Sequence, residues 1–595
     1  MKRYSYKFVY KFLLASCLIS AFSCKKLVDV KPEDQVDIAN HYQNVYDANA
    51  AVIGIYGQLQ GIADRYIVLN ELRADLVSPT INADQYLKQL NTHNVTADNP
   101  WIDPKPFYRI ILNCNDALKN FEIMLRDKKL TTSDYQQRYS DVGAIRSWLY
   151  LQLAIQFGNI PYVTDPLEKV EDLKDTGKFP RLTFDQVLDK LVTFVEGLPY
   201  KEPYAAAPAN SSNATSLNTT VDGYPTNLWF INKQVLLGDL YLWHGDYTKA
   251  SALFVYVANT GTRVESGAPG NRYYDMYKIT NTDVFNNITY SSYQNELTLR
   301  DDNTTGWRGI FGRTTQDTNA NIEWIWTLPF DRNFAPVNPF IDLFSNQGGK
   351  YLLTASKQAL DNWAAQTQGN GLPYDARGLI SVRTVGGQPV IMKPLYTYLT
   401  GTNFIPGNIL QKQGRWLLYR GATLILHLAE SANRDNRTRI AYALTNVGIK
   451  TVYNGVWPGT GTVSSDVTNI MQTPEPVGST YYFDAREGSV PSFRGDWYRS
   501  VGIRNRANLL PLPSTLATNN DPVAMENALI DEDALELAFE GHRWQDLMRI
   551  AHRRGDPSFV ANKVYNKLVK ENNPAAATVL SRLSATNGLY LPFNL

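Results

Sequence analysis

From His41 onward, apolar residues recur at helical spacing: Tyr42, Val45, Tyr46, Ala50, Ile53 and Tyr56 fall on overlapping i, i+3 and i+4 steps. The same period predicts helices at about 105–127, 134–157 and 183–197, with Pro161, Pro166 and Pro199 as stops. The sharpest repeat lies at 231–262, where Gly238, Tyr241, Gly245, Tyr247, Ala250 and Phe254 carry the spacing of a tetratricopeptide-like helix pair. There the small Gly238 and Ala250 allow close approach, and Asp246 stands as the N-cap of the second helix. A poorer pair spans 415–453, with Leu418, Ala422, Leu426, Ala429 and Ala432 on one face. Such units cannot bury their faces alone, so several must pack side by side. A last helical block covers 525–571, and its Asp531, Glu532 and Asp533 are expected at a helix N-terminus, where they suit the dipole.

Between these helices lie segments 200–226, 262–322, 366–412 and 454–524, rich in Asn, Thr, Gly, Pro and aromatics. Loops beyond about 15 residues tend to be functional or disordered, and the Tyr and Trp content here argues for order. Short β-like runs at Leu379–Val385 and Val390–Tyr398 flank Gly386 and Gly387, predicting a small hairpin.

The N-terminus has the pattern of a secretion signal. Lys2, Arg3, Lys7 and Lys11 precede an apolar run from Phe12 to Phe22. That run is shorter than the roughly 20 residues that span a bilayer. Ala21, Phe22 and Ser23 then lead into Cys24, as in a bacterial lipobox. Cys17 is the competing position, but cleavage there leaves the apolar Leu18 to Phe22 on the mature chain. Ordinary cleavage with an incidental cysteine is the third alternative. With Cys24 lipidated, the mature chain keeps Cys114 as its one cysteine and no internal disulfide is possible. The expected organisation is a signal peptide at 1–23, a lipidated tether at 24–40 and one domain at 41–595. Within that domain the helical core covers about 41–262 and 415–453, variable loops cover 263–412 and 454–524, and a helical block covers 525–595.

At 44% hydrophobic and 19% charged, the 595-residue chain is globular in composition, and a formal net charge of +1 gives no footprint for nucleic acid. Aromatics reach 12%, with 36 Tyr, 23 Phe and 12 Trp.

Several segments resemble the SusD/RagB family of nutrient-binding outer-membrane lipoproteins. Leu69-Asn-Glu-Leu-Arg-Ala-Asp75 is similar to its first inter-helix motif, and Phe107 to Asn113 to its next helix. Gly143-Ala-Ile-Arg146-Ser-Trp-Leu-Tyr150, running on to Phe157, Gly158 and Pro161, resembles the most specific signature. Asn321 to Trp326 resembles the strand-like segment after the repeat, and Arg420 with Ala429-Glu430 the third repeat. Leu535 to Arg549 resembles the C-terminal motif. Arg504 and Arg506 stand where the family's Arg-rich segment is expected, but after an insertion at about 454–500. The resemblance implies an all-α core of tetratricopeptide-like helix pairs with long irregular loops and minor β-hairpins. It also implies a SusC-like TonB-dependent transporter as partner and an oligosaccharide, or in one branch a peptide, as cargo.

No catalytic motif is present: there is no His-Glu-x-x-His, no Gly-x-Ser-x-Gly and no phosphate loop, and the six His lack metal-ligand spacing. No cofactor or metal is expected. Asp301, Asp302 and Asn303 form no full calcium loop. A glycosidase needs only two carboxylates, so hydrolysis and a purely structural role stand beside capture as alternatives. Glu540, Arg543, Asp546 and Arg549, at i+3 spacing, are expected to form a buried polar network. Sugars pack their C–H faces on aromatic rings and bond their hydroxyls to amides, carboxylates and guanidinium groups. Trp101 and Trp307, with Tyr273, Tyr274 and Arg308, are therefore the expected ligand-binding residues, converging on one shallow site, with core packing as the alternative role of each ring taken alone.

Overall fold

The computed structural model describes residues 42–595 except 168, 206–214, 261–277, 280–286, 289–305, 314–322, 334, 370, 372, 454–477, 484–496, 498–499 and 501. The core is helical. Helix α1 (Val45–Gln60) starts on a capping box, in which the Asn44 side chain accepts from Tyr46 and Asp47 N–H while Asp47 accepts from the Asn44 N–H. It buries Ala48, Val52, Ile55, Tyr56 and Leu59, whereas Tyr46 stays exposed. Helices α2 (Lys105–Arg126) and α3 (Thr132–Phe157) form a pair, and every residue of α3 from Ser140 to Phe157 is buried. A helix covered on all sides is a core helix. It stops at Gly158, whose φ of +70° sits against the Tyr590 ring. Helix α4 (Phe184–Glu196) opens on a Thr183–Gln186 capping box.

Helices α5 (Lys233–His244) and α6 (Tyr247–Ala258) are the expected repeat pair. A Cβ on Gly238 would stand 2.6 Å from Phe254 Cε1, so only glycine admits this approach. Gly245, at φ +95°, closes α5 in the left-handed conformation. Asp246 occupies the N-cap position of α6 without capping it: its carboxylate is held by His244 Nδ1 at 3.1 Å.

The variable middle contains regular structure. Strand β1 (Trp324–Phe330) is buried throughout. Helix α7 (Lys357–Ala364) follows, then the hairpin of β2 (Val382–Val385) and β3 (Gln388–Ile391), which turns through Gly386 and Gly387 at φ +55° and +78°. Two positive φ values are what a tight two-residue hairpin turn needs. The segment ahead of β2 is a short helix, Ala376–Ser381, instead of strand. Strand β4 (Gly414–Arg420) pairs antiparallel with β1, Trp416 opposite Leu328. The second helix pair therefore starts later than its apolar pattern suggests, with α8 (Gly421–Arg434) and α9 (Thr438–Thr445).

The C-terminal block is α10 (Pro522–Glu536), α11 (Arg543–Arg554) and α12 (Ser558–Lys570). Asp531, Glu532 and Asp533 lie in the last turns of α10, not at a helix start. Specific cations hold two of them: Asp531 pairs with Lys563, and Glu532 with Arg377 and Arg504. The polar network is buried as expected, although Glu540 precedes α11. Asp75 grips Arg543 with both oxygens at 2.7 and 2.8 Å, and Arg549 joins Asp546 at 2.8 Å to Glu430 at 2.6 Å.

Candidate ligand-binding face

Trp101 sits in a single turn of 3-10 helix, Pro100–Ile102, just ahead of α2. The turn is built by its neighbours. Asn99 caps it, accepting from Trp101 N–H at 3.0 Å and donating to the Tyr86 carbonyl and Gln89 Oε1. Arg65 clamps it from the other side, donating to the Pro100 and Trp101 carbonyls at 2.6 and 2.7 Å. The guanidinium stands 6.0 Å from the centre of the indole ring. Burial lowers the pKa of Arg65 and raises that of the neighbouring Asp64. At the rim, hydrogen bonds from Thr96, its own backbone and Tyr86 lower the Asp98 carboxyl. Trp101 itself stays partly exposed. An aromatic ring on a rigid, guanidinium-braced turn loses little side-chain freedom when a flat apolar face settles on it.

A groove of about 450 Å³ lies between the end of α1 and the first turns of α2. Ile62, Ile110 and Val170 give it an apolar floor, and Gln58, Arg109 and Asn113 supply polar groups. Asn113 donates to Gln58 Oε1 at 2.6 Å across the groove. Ile62 lies three residues before Arg65, and Pro106 five residues after Trp101, so groove and turn are neighbours along the chain, although neither Trp101 nor Arg65 lines the groove. The sequence does not reveal this groove, because its two walls come from helices whose mutual placement no local pattern encodes.

Trp307 and Arg308 are elsewhere. Trp307 is 1% exposed, packed edge-on to Phe311 at 5.2 Å, with Lys393 Nζ 5.1 Å from its ring centre. Arg308 is buried over Tyr396, 4.3 Å from the ring centre. In this conformation both build the interior, so the expected convergence with Trp101 is not found among the described residues. A polar setting in the sequence hid an apolar surround contributed by 391–404. Tyr273, Tyr274 and Cys24, like Asp301, Asp302 and Asn303, lie outside the described residues. Among the described residues no group of three or more His, Cys, Asp or Glu is placed to hold a metal ion.

The face and the C-terminal ion network coincide with the two stretches that family comparison singles out. A model of the SusD family matches residues 499–589, and a model described as starch-binding and associating with the outer membrane matches residues 29–197. In these two stretches the chain matches the SusD-like family. A SusD-like protein of Formosa agariphila is 25% identical over 215 residues, a match that covers 33% of this chain and 37% of that relative's length. A SusD superfamily protein of Bacteroides vulgatus superposes with a TM-score of 0.56 at 14% identity, covering 92% of this chain and 95% of that one. The surface glycan-binding protein A of Bacteroides uniformis does so with a TM-score of 0.54 at 15% identity, covering 92% and 96%. The helical fold is therefore shared over 92% of the chain, while the family models match two parts of it. Trp101 falls within the first matched stretch, and Arg504, Arg506, Arg543 and Arg549 within the second. Trp307 and Arg308 fall in neither.

Proposed function

We propose that this SusD-like protein captures oligosaccharides at the Trp101 face and passes them to a SusC-like TonB-dependent transporter, without catalysis. The observation that carries the reading is the partly exposed indole on a turn whose backbone Arg65 and Asn99 hold, close in sequence to the residues of a groove with an apolar floor and amide rim. That combination offers a stacking plane and hydroxyl partners together. The description of the matched N-terminal model, starch-binding and associating with the outer membrane, supports both cargo and location. Lipid at Cys24 is the proposed anchor, and among the described residues no helix is long and apolar enough to cross a membrane. A thioether-linked diacylglycerol with an acyl chain suits stable attachment, since one chain alone binds only marginally.

One aromatic contact contributes on the order of 1 kcal/mol beyond area burial, so affinities of roughly micromolar to millimolar are expected once association costs are subtracted. Titration with neutral oligosaccharides should quench Trp fluorescence and leave the sugars chemically unchanged. Trp101→Ala should weaken binding about tenfold, equivalent to about 1.4 kcal/mol, and leave thermal stability nearly unaltered. Binding undiminished in the variant, or tighter binding of peptides than of any sugar, rules this reading out.

A further inference from the structure

Helices α7, α10 and α12 and the segment 504–516 enclose a cleft of about 490 Å³. That volume lies within the range of small-molecule sites, about 300–1,000 Å³. Its charged walls are neutralised internally. Arg543 is consumed by Asp75 and the Ile530 carbonyl, at 2.7 and 2.8 Å to the carboxylate and 2.7 Å to the carbonyl. Arg504 is shared between Glu532 at 3.1 Å and Gln366 Oε1 at 2.9 Å, and at the rim Lys563 pairs with Asp531. These pairs fix the floor and leave no free charge to attract an ion.

What remains open is amide. Gln358 donates to Asn362 Oδ1 at 2.6 Å, which leaves Gln358 Oε1 and Asn362 Nδ2 without a bond to any described residue. Asn566, on the opposite wall, bonds to none of the described residues through its side chain. Leu512, Pro513, Leu516 and Ala528 add an apolar flank, and none of the lining residues is aromatic. Paired amide donors and acceptors beside an aliphatic patch, in a cleft whose charges are internally paired, match a neutral molecule that carries hydroxyls on one side and C–H groups on the other.

We propose that this cleft is a second binding site, for one or two neutral sugar residues, held by Gln358, Asn362 and Asn566 and independent of Trp101. The choice of a sugar rests on the glycan-capture reading; the exclusion of charged ligands rests on the cleft alone. The test uses maltose and cellobiose on the full mature chain, in the wild type, in Trp101→Ala and in an Asn362→Leu/Asn566→Leu double variant. Crystals of wild type and Trp101→Ala soaked in either disaccharide should hold sugar in the cleft, and calorimetry should retain a binding event in Trp101→Ala. The double variant should lose that event at least tenfold while keeping the wild-type melting temperature and the Trp101-dependent event. Ala528→Trp, which fills the flank, should do the same. An empty cleft in both crystals overturns the proposal, whatever happens at Trp101. So does occupancy that survives the double variant, binding at crystal concentration only, or preferential uptake of glutamate or citrate.

Discussion

His427, on α8, shows how single residues are tuned. Its Nδ1 lies 2.7 Å from Asp239 Oδ1 and its Nε2 3.6 Å from Asp546 Oδ1. Burial opposes charge on the ring, but the two carboxylates outweigh it and push the pKa up to about 10. Raised above its unfolded value of about 6.5, the imidazolium stabilises the fold fully below that pH and loses its contribution as pH rises through the folded value. Breaking such a buried pair costs about 3 kcal/mol. His427→Gln should therefore be destabilised by about that amount near pH 6 and approach the wild type above about pH 10. Lys567, lowered to about 8 by burial, titrates in the same window in both proteins and cancels in the difference. Melting curves across pH check this, and a gap that does not narrow refutes it. Spacing alone identified Gly238 as the close-approach residue. Gly541 was not legible, because its need for glycine comes from φ +89° against the Tyr66 ring, which lies far away in sequence.

At the scale of elements, ions join what hydrophobic periodicity leaves unassigned. Arg420, at the end of β4, reaches Glu323 at 2.9 Å, Glu536 at 2.8 Å and Glu540 at 2.7 Å. Arg506 and Arg377 complete the set around Glu536. These cations hold the Glu536 carboxyl well below the usual range against the effect of burial. One strand end thereby fixes the β1–β4 ladder to the close of α10. Arg420→Met leaves buried carboxylates short of a cation and should cost about 3–5 kcal/mol, measurable as a lowered denaturation midpoint. A midpoint within error of the wild type shows that neighbouring arginines compensate. Helix positions were legible because burial on one face enforces the 3.6-residue period, as in α2 and α4. Strand β4 was not: Trp416, Leu418 and Tyr419 are apolar under either period, and pairing with the distant β1 decides between them. The same distance effect misplaced Asp531 and Glu532, whose partners Lys563, Arg377 and Arg504 come from three separate segments.

Across the whole molecule, the two ends of the chain interlock. Asp75 and Arg543 are 468 residues apart in sequence, and Glu71 accepts the Gly541 N–H at 2.7 Å across 470. Lys567 of α12 donates to the Leu72 and Val77 carbonyls and to Asn91. These bonds sit in the interior, so neither end can leave without stranding charges in it, and an unpaired buried charge costs several kcal/mol. The Trp101 turn depends on the same first helices, which is why its position was readable from local Pro and Asn residues while its groove was not. We propose a single domain at 41–595, a reading that this interlock supports, although its length exceeds the common range for one hydrophobic core. Calorimetry should record one transition whose van't Hoff and calorimetric enthalpies agree. A chain ending at Asp521, which lacks α10 to α12, should fail to give a folded near-ultraviolet spectrum, because Asp75 and Glu71 would lose their partners while Arg377 and Arg420 lost Glu532, Glu536 and Glu540. Two separated transitions, or a truncated chain that still folds and binds sugar at Trp101, would mean that the C-terminal helices are a separate unit docked on an independently stable core.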